Sequence, residues 1–216
     1  MNSFASGISI KKLWEEAPLA SVLAATNILV FVYQMLMRQI DGYYSVETWG
    51  ALQKALIFDN GEYYRIITAG FLHWDLMHIL FNAAFGIVII TSFLERKIGS
   101  LRTGLIYFSS MLISGLLTAA LADFGADPGD PLVWTLGASG AIFGVLGTLL
   151  YMSFFRLDLM SAHDVRSIRS LILINLVFTF AVGSVSNVGH VSGLIAGFLV
   201  AFLFVPKDKA EYEIYH

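Results

Sequence analysis

Apolar residues along this chain gather into long blocks separated by short polar stretches. Six blocks reach the length of a bilayer-spanning helix: residues 18–37, 76–94, 103–122, 139–155, 168–184 and 189–205. A span of about 20 mostly apolar residues crosses the hydrocarbon core, and backbone groups inside lipid have to be satisfied within the segment, which makes each block a helix. The expected fold is all-α, a polytopic bundle of six transmembrane helices in one domain. A short cytoplasmic segment, residues 1–17, precedes the domain at 18–205, and a short cytoplasmic tail follows at 206–216. The first block begins after Lys11 and Lys12 and is long enough to stay in the membrane, unlike a cleaved signal.

Between the first two blocks, residues 38–75 hold Trp49, Phe58, Tyr63, Tyr64, Phe71 and Trp74 among scattered charges. Aromatic residues with mixed polarity suit the headgroup layer. The expectation is a partly helical loop embedded in the outer leaflet.

Composition agrees with the pattern. The 216 residues are 57% hydrophobic and 13% charged, and the mean hydropathy is +0.73; a soluble domain carries about 25% charged residues. A formal net charge of −3 gives no footprint for nucleic acid, and the absence of cysteine removes disulfides and thiolate chemistry. Basic residues orient the spans. Lys11 and Lys12, then Arg96, Lys97 and Arg102, then Arg156, Arg166 and Arg169, then Lys207 and Lys209 all fall on one side if the six spans alternate. The opposite loop after the third span carries Asp123, Asp127 and Asp130. Both termini are then cytoplasmic, and Arg38, Lys54 and Arg65 are the dissenting charges.

Polar groups within or beside spans are costly and are functional hypotheses by default. His73, His78, Asn82, Ser139 and His190 all lie near the outer ends of the second, fourth and sixth spans. Ser139 sits between Gly137 and Gly140, where a tight loop feeds a helix N-terminus; free amides there favour an activated oxygen or an oxyanion. An ordinary N-cap serine is the plain alternative. His190, Gly193 and Gly197 share one helix face, as do Gly140, Gly144 and Gly147 on the fourth span. Packing these small-residue faces would bring an imidazole beside the Ser139 hydroxyl, in reach for general-base activation. A histidine bonding across helices is the plain alternative. His78 and Asn82, four apart, can both donate to an oxyanion, and Asp75 is placed to cap their helix. His73 reads as a structural tie between outer loop and helix. Zinc is a competitor, but the histidine spacing lacks the H-E-x-x-H arrangement, so no metal is assigned. No aspartate pair lies within the spans for an aspartyl mechanism. The fifth span shows little polar character and reads as the mobile gate.

These residues resemble the rhomboid family of intramembrane serine proteases. Gly137-Ala-Ser-Gly140 resembles its G-x-S-G nucleophile motif, and Gly189-His-Val-Ser-Gly193, continuing to Gly197, its catalytic histidine motif. The run from His73 through His78 to Asn82 resembles its H-x4-H-x3-N element. Tyr64-Arg65 resembles the outer-loop W-R motif, and Leu94-Glu95 to Gly99 the E-x3-G turn. The motifs come in family order from the outer loop to the last span. The resemblance implies Ser139 as nucleophile, His190 as general base, and an oxyanion hole from Asn82, His78 and the Ser139 amide. Arg65 and Glu95 would be structural. Phe143 stands where the family often has tyrosine stacking on the histidine. The implied substrates are transmembrane segments of other membrane proteins, cleaved in the bilayer without cofactor, and the implied location is a bacterial inner membrane with the site toward the outer side. A catalytically inactive relative that only binds membrane helices is one rival. A small transporter is another, and it predicts a polar path or inverted repeats, neither of which the sequence has.

Overall fold

The computed structural model describes residues 9–41, 49–121, 134–182 and 186–207. A short helix α1 (Ile10–Glu16), capped by the Ser9 hydroxyl, precedes α2 (Pro18–Asp41). Two short outer-loop helices follow, α3 (Lys54–Phe58) and α4 (Arg65–Thr68), the second running into a 3-10 turn over Ala69–Phe71. The remaining helices are α5 (Leu76–Ile98), α6 (Ser100–Ala120), α7 (Ser139–Phe155), α8 (Ala162–Ala181) and α9 (Asn187–Phe204). The all-α expectation holds: each of the six expected spans falls on one of these long helices, and among the described residues the only ladder contact is an isolated antiparallel bridge between Leu52 and Thr135. The three aspartates after α6 lie outside the described residues.

Several boundaries differ from the sequence expectation: α2 runs on to Asp41 and α5 to Ile98, and α6 and α9 start earlier, at Ser100 and Asn187. α8 starts at Ala162, six residues before Ile168, because Ser161 and Asp164 form a reciprocal capping box that nucleates the helix in polar sequence. The expected end of that span at Ser184 lies outside the described residues. Residues 10–16, which the sequence left without structure, form α1. Among the described residues four helices, α2, α5, α6 and α9, are long and apolar enough to cross a bilayer, and α7 is a shorter apolar helix.

α7 is the bundle's axis. It is buried on nearly every face, as befits a helix that is apolar all round. Val145, Leu146 and Leu149 pack with Ile87 and Ile90 of α5, Tyr107 and Met111 of α6, Ile168 and Ile172 of α8, and Leu23 of α2. Leu29, Phe85, Leu112, Val177, Leu199 and Leu203 point outward from the surrounding helices. Lipid is as apolar as leucine, so helix association depends on close packing and hydrogen bonds. Here the close packing is between α7 and α9. A Cβ added at Gly193 would overlap the Gly140 carbonyl, one at Gly197 the Gly144 carbonyl, and one at Gly147 the Leu194 carbonyl. Thr148 also donates across the same seam to the Gly197 carbonyl at 2.9 Å.

Glu95, at the far end of α5, has a longer reach than an anchor for its own turn. Its two carboxylate oxygens accept from the amides of Leu19 and Ala20 at 2.8 Å each, and one accepts from the Ser100 hydroxyl at 2.6 Å. Pro18 opens α2 without an N–H to satisfy, so Glu95 supplies acceptors for the next two amides and an anion for the positive helix end. One buried carboxylate thereby fixes α2, α5 and the start of α6.

α5 departs from regular α geometry over Phe81–Thr91, which forms a π-helical stretch. The wider turn begins at the level of Asn82 and carries Gly86, whose missing side chain leaves room for Ile142 of α7. Such widened turns are frequent at functional sites.

Two predictions follow from this packing. Gly197→Ala forces a methyl into the Gly144 backbone and should destabilise the bundle by about 1–3 kcal/mol. Gly104→Ala meets only Leu19 methyls at 3.5–4.0 Å and should be neutral or slightly stabilising; thermal unfolding in detergent distinguishes the pair. Glu95→Ala should lower stability by about 3 kcal/mol, the scale of charge-assisted bonds lost from buried amides, read as a lower unfolding temperature by tryptophan fluorescence.

Candidate active site

Ser139 is the first residue of α7, after a cap at Ala138, and no side chain caps that helix. The hydroxyl is therefore not spent as an ordinary N-cap, and the first-turn amides remain available to an anion. Gly137 has φ +120°, a conformation that only glycine adopts without strain. The outer loop fixes this turn from outside. Leu52 and Thr135 exchange two backbone bonds of 2.9 Å, and the Gly137 amide donates to the Ala69 carbonyl at 2.8 Å.

The outer loop is itself held by Arg65, which is buried. Its guanidinium bonds Glu62 at 2.6 and 2.7 Å and the Ala51 carbonyl at 3.0 Å, adjacent to Leu52 of the bridge. The Tyr64 hydroxyl also donates to Glu62 at 2.9 Å. That bond, then the Arg65 guanidinium, holds the Glu62 carboxyl below its ordinary range.

His78 lies against the turn that leads into Ser139. Its Nε2 is 2.7 Å from where a Gly137 Cβ would stand. The Trp74 amide donates to His78 Nδ1 at 3.4 Å, which leaves the proton on Nε2, facing the turn. Asp75 caps α5 by accepting from the His78 amide at 2.8 Å. Asn82 is buried one turn on, and its Nδ2 donates to the His78 carbonyl at 2.9 Å; the amide has a second hydrogen to give. His73 is fully buried, edge-on to His78 at 4.9 Å, and its amide donates to Gln34 Oε1 of α2 at 3.2 Å. That bond ties loop to helix through the backbone.

His190 occupies the first turn of α9 and is buried. The Phe143 ring lies against its face, centroids 4.0 Å apart and planes 15° from parallel. Thr179 of α8 meets its Nδ1 at 2.8 Å. Ser139 and His190 stand at the same crossing: the Gly140 Cβ position is 3.8 Å from the Gly189 carbonyl, and Gly193 packs on the Gly140 carbonyl. No hydrogen bond joins the Ser139 hydroxyl to the His190 ring, and Ser139 Oγ has no bonded partner among the described residues.

Sequence reasoning missed Asn27, Gln34 and Thr179, all buried polar residues. A glutamine inside an apolar span was a signal available for Gln34. Thr179 gave none, because threonine in a helix usually bonds its own backbone. With Arg169, which donates to Ser153 from the first half of α8, it gives the fifth span, of little polar character otherwise, hydrogen bonds to two neighbouring helices.

Comparisons with known proteins show the family. Residues 60–207 match the Rhomboid domain. Over 154 residues the chain is 34% identical to the rhomboid protein YdcA of Bacillus subtilis, covering 71% of this chain and 73% of YdcA. It is 37% identical over 190 residues to the rhomboid protease GluP of the same organism, covering 86% of this chain and 35% of GluP. It is also 29% identical over 148 residues to an inactive rhomboid protein of Danio rerio, covering 67% of this chain and 16% of that protein. The chain thus spans about a third of GluP and most of YdcA. A match over two thirds of the sequence, embracing α4 to α9, identifies this integral membrane protein as a member of the rhomboid family.

Proposed function

We propose that this chain is an intramembrane serine endopeptidase that cleaves transmembrane segments of other proteins. The observation that carries the proposal is the α7–α9 crossing, which supports a buried imidazole, stacked on Phe143, beside a serine at an uncapped helix N-terminus. Ser139 Oγ attacks the scissile carbonyl carbon while its proton passes to His190 Nε2. The oxyanion lies toward the Ser139 amide, His78 Nε2–H and the free hydrogen of Asn82, donors matched to charge that develops only in the transition state. The intermediate collapses, the C–N bond breaks, and the Nε2 proton leaves on the amine. Water then repeats the sequence on the acyl-enzyme and releases the acid.

The site lies toward the outer side of a bacterial inner membrane, with both termini cytoplasmic. α7 rises about 26 Å at 1.5 Å per residue, shorter than the hydrocarbon core of about 30 Å. With Arg156 and Arg169 at its far end holding the cytoplasmic surface, Ser139 comes below the outer headgroups. A substrate helix has to unwind there to present an extended carbonyl.

Purified protein should cleave a transmembrane test substrate, and turnover should fall below about a thousandth of wild type in Ser139→Ala and in His190→Ala while the unfolding temperature is kept. A fluorophosphonate probe should label Ser139. Absent labelling with an intact fold would instead favour a helix-binding protein without catalysis, the reading that the similarity to an inactive rhomboid protein favours.

A further inference from the structure

α8 reaches the ring of His190 with the Thr179 hydroxyl, and that hydroxyl has a second partner. Thr179 Oγ1 lies 2.8 Å from His190 Nδ1 and 2.8 Å from the Asn175 carbonyl oxygen one turn back. Thr179 is 1% exposed, so water does not compete for its hydroxyl. A hydroxyl has one hydrogen and two lone pairs, whereas a carbonyl oxygen can only accept. Both contacts are hydrogen bonds at once in just one arrangement: Thr179 donates to Asn175, and Nδ1–H donates to Thr179. The reverse sense, with Thr179 donating to Nδ1, leaves the Asn175 contact without a proton.

We infer that Thr179 is a positioning residue that fixes His190 as the Nδ1–H tautomer, so that Nε2 carries the lone pair needed for Ser139. The inference rests on the protease reading above for its catalytic consequence. In the neutral ring, the nitrogen that keeps its proton is set by the partner of that nitrogen. Here the partner comes from a neutral hydroxyl on a neighbouring helix, itself oriented by its own backbone. Phe143 fixes the plane of the ring and Thr179 fixes its rotation within that plane. After proton transfer, both ring nitrogens carry hydrogens, and the Thr179 oxygen still accepts from Nδ1–H. The chain thus gains the orienting function of a third member without a carboxylate in the membrane, where a charge is expensive. The same bond ties the gate candidate α8 to the base: moving the Thr179 end of α8 away would free the ring.

The test uses the full chain in detergent with a transmembrane test substrate. Thr179→Val keeps the shape and removes the hydroxyl; kcat should fall about tenfold, the scale of one lost buried hydrogen bond, with KM within about twofold. Thr179→Ser restores the hydroxyl and should restore kcat to within about threefold of wild type. Ring nitrogen-15 spectra of histidine-labelled protein, with His190→Ala to assign the signal, should show protonated Nδ1 and bare Nε2 in wild type, and a shift toward Nε2–H in Thr179→Val. Unchanged kcat in Thr179→Val with a native unfolding temperature overturns the inference, as does failure of Thr179→Ser to rescue, or a wild-type ring protonated on Nε2. Turnover that survives Ser139→Ala would instead sink the protease reading, while the spectrum separately decides the tautomer.

Discussion

The close approach of α7 and α9 is the constraint on which the rest of the molecule depends. Three glycine positions, 147, 193 and 197, each lie where a single added carbon would enter a backbone carbonyl of the facing helix. In water such a seam could be closed by burying larger side chains. In lipid that gain vanishes, and contact distance and hydrogen bonds have to hold the helices. The small residues at the seam therefore do two things. They hold the bundle's axis together, and they set how far Ser139 stands from His190. A seam opened by one methyl would move His190 away from Ser139, and in the proposed mechanism small displacements of that kind cost reactivity steeply.

Around this seam, the inferred protonation senses of His78 and His190 are opposite, each set by the partner of its Nδ1. The Trp74 amide donates to His78 Nδ1, so the inward Nε2 of His78 is a donor. In the arrangement inferred above, Thr179 accepts from His190 Nδ1 across their 2.8 Å contact, which makes Nε2 of His190 the acceptor. In the proposed mechanism one nitrogen then stabilises a negative oxygen while the other removes a proton, with no formal charge in the resting site. Neutral groups suit this depth, where ions would need partners that the spans do not provide. The outer loop completes the arrangement by fixing the turn itself, through the Leu52–Thr135 bridge and the Gly137–Ala69 bond, with Arg65 bracing the loop behind them.

Much of this was legible in the sequence because the bilayer restricts what a sequence can mean. Apolar blocks of fixed length gave the long helices, and α7 was found with both of its boundaries. Glycine spacing gave the faces that meet, since residues three or four apart share a helix face whatever the tertiary context. Asp75 announced its cap by standing before an apolar run. What escaped was long range or locally ambiguous. Glu95 could be placed in a turn, but nothing in the chain says that its oxygens cap a helix 75 residues earlier. The π-helical stretch of α5 has the same apolar composition as an α-helix, so periodicity does not betray it.

Thr179 shows the limit most clearly. Along the sequence it is one threonine in an apolar span, with a hydroxyl satisfied by the carbonyl four residues back, the usual fate of threonine in a helix. That local bond is what gives it a wider role. A hydroxyl whose proton is already committed to its own backbone can only accept from anything else that touches it. The helix therefore sets the direction of the hydrogen bond to His190 before the two helices meet, and a residue that looks inert by itself determines which nitrogen of its neighbour is left to act as a base.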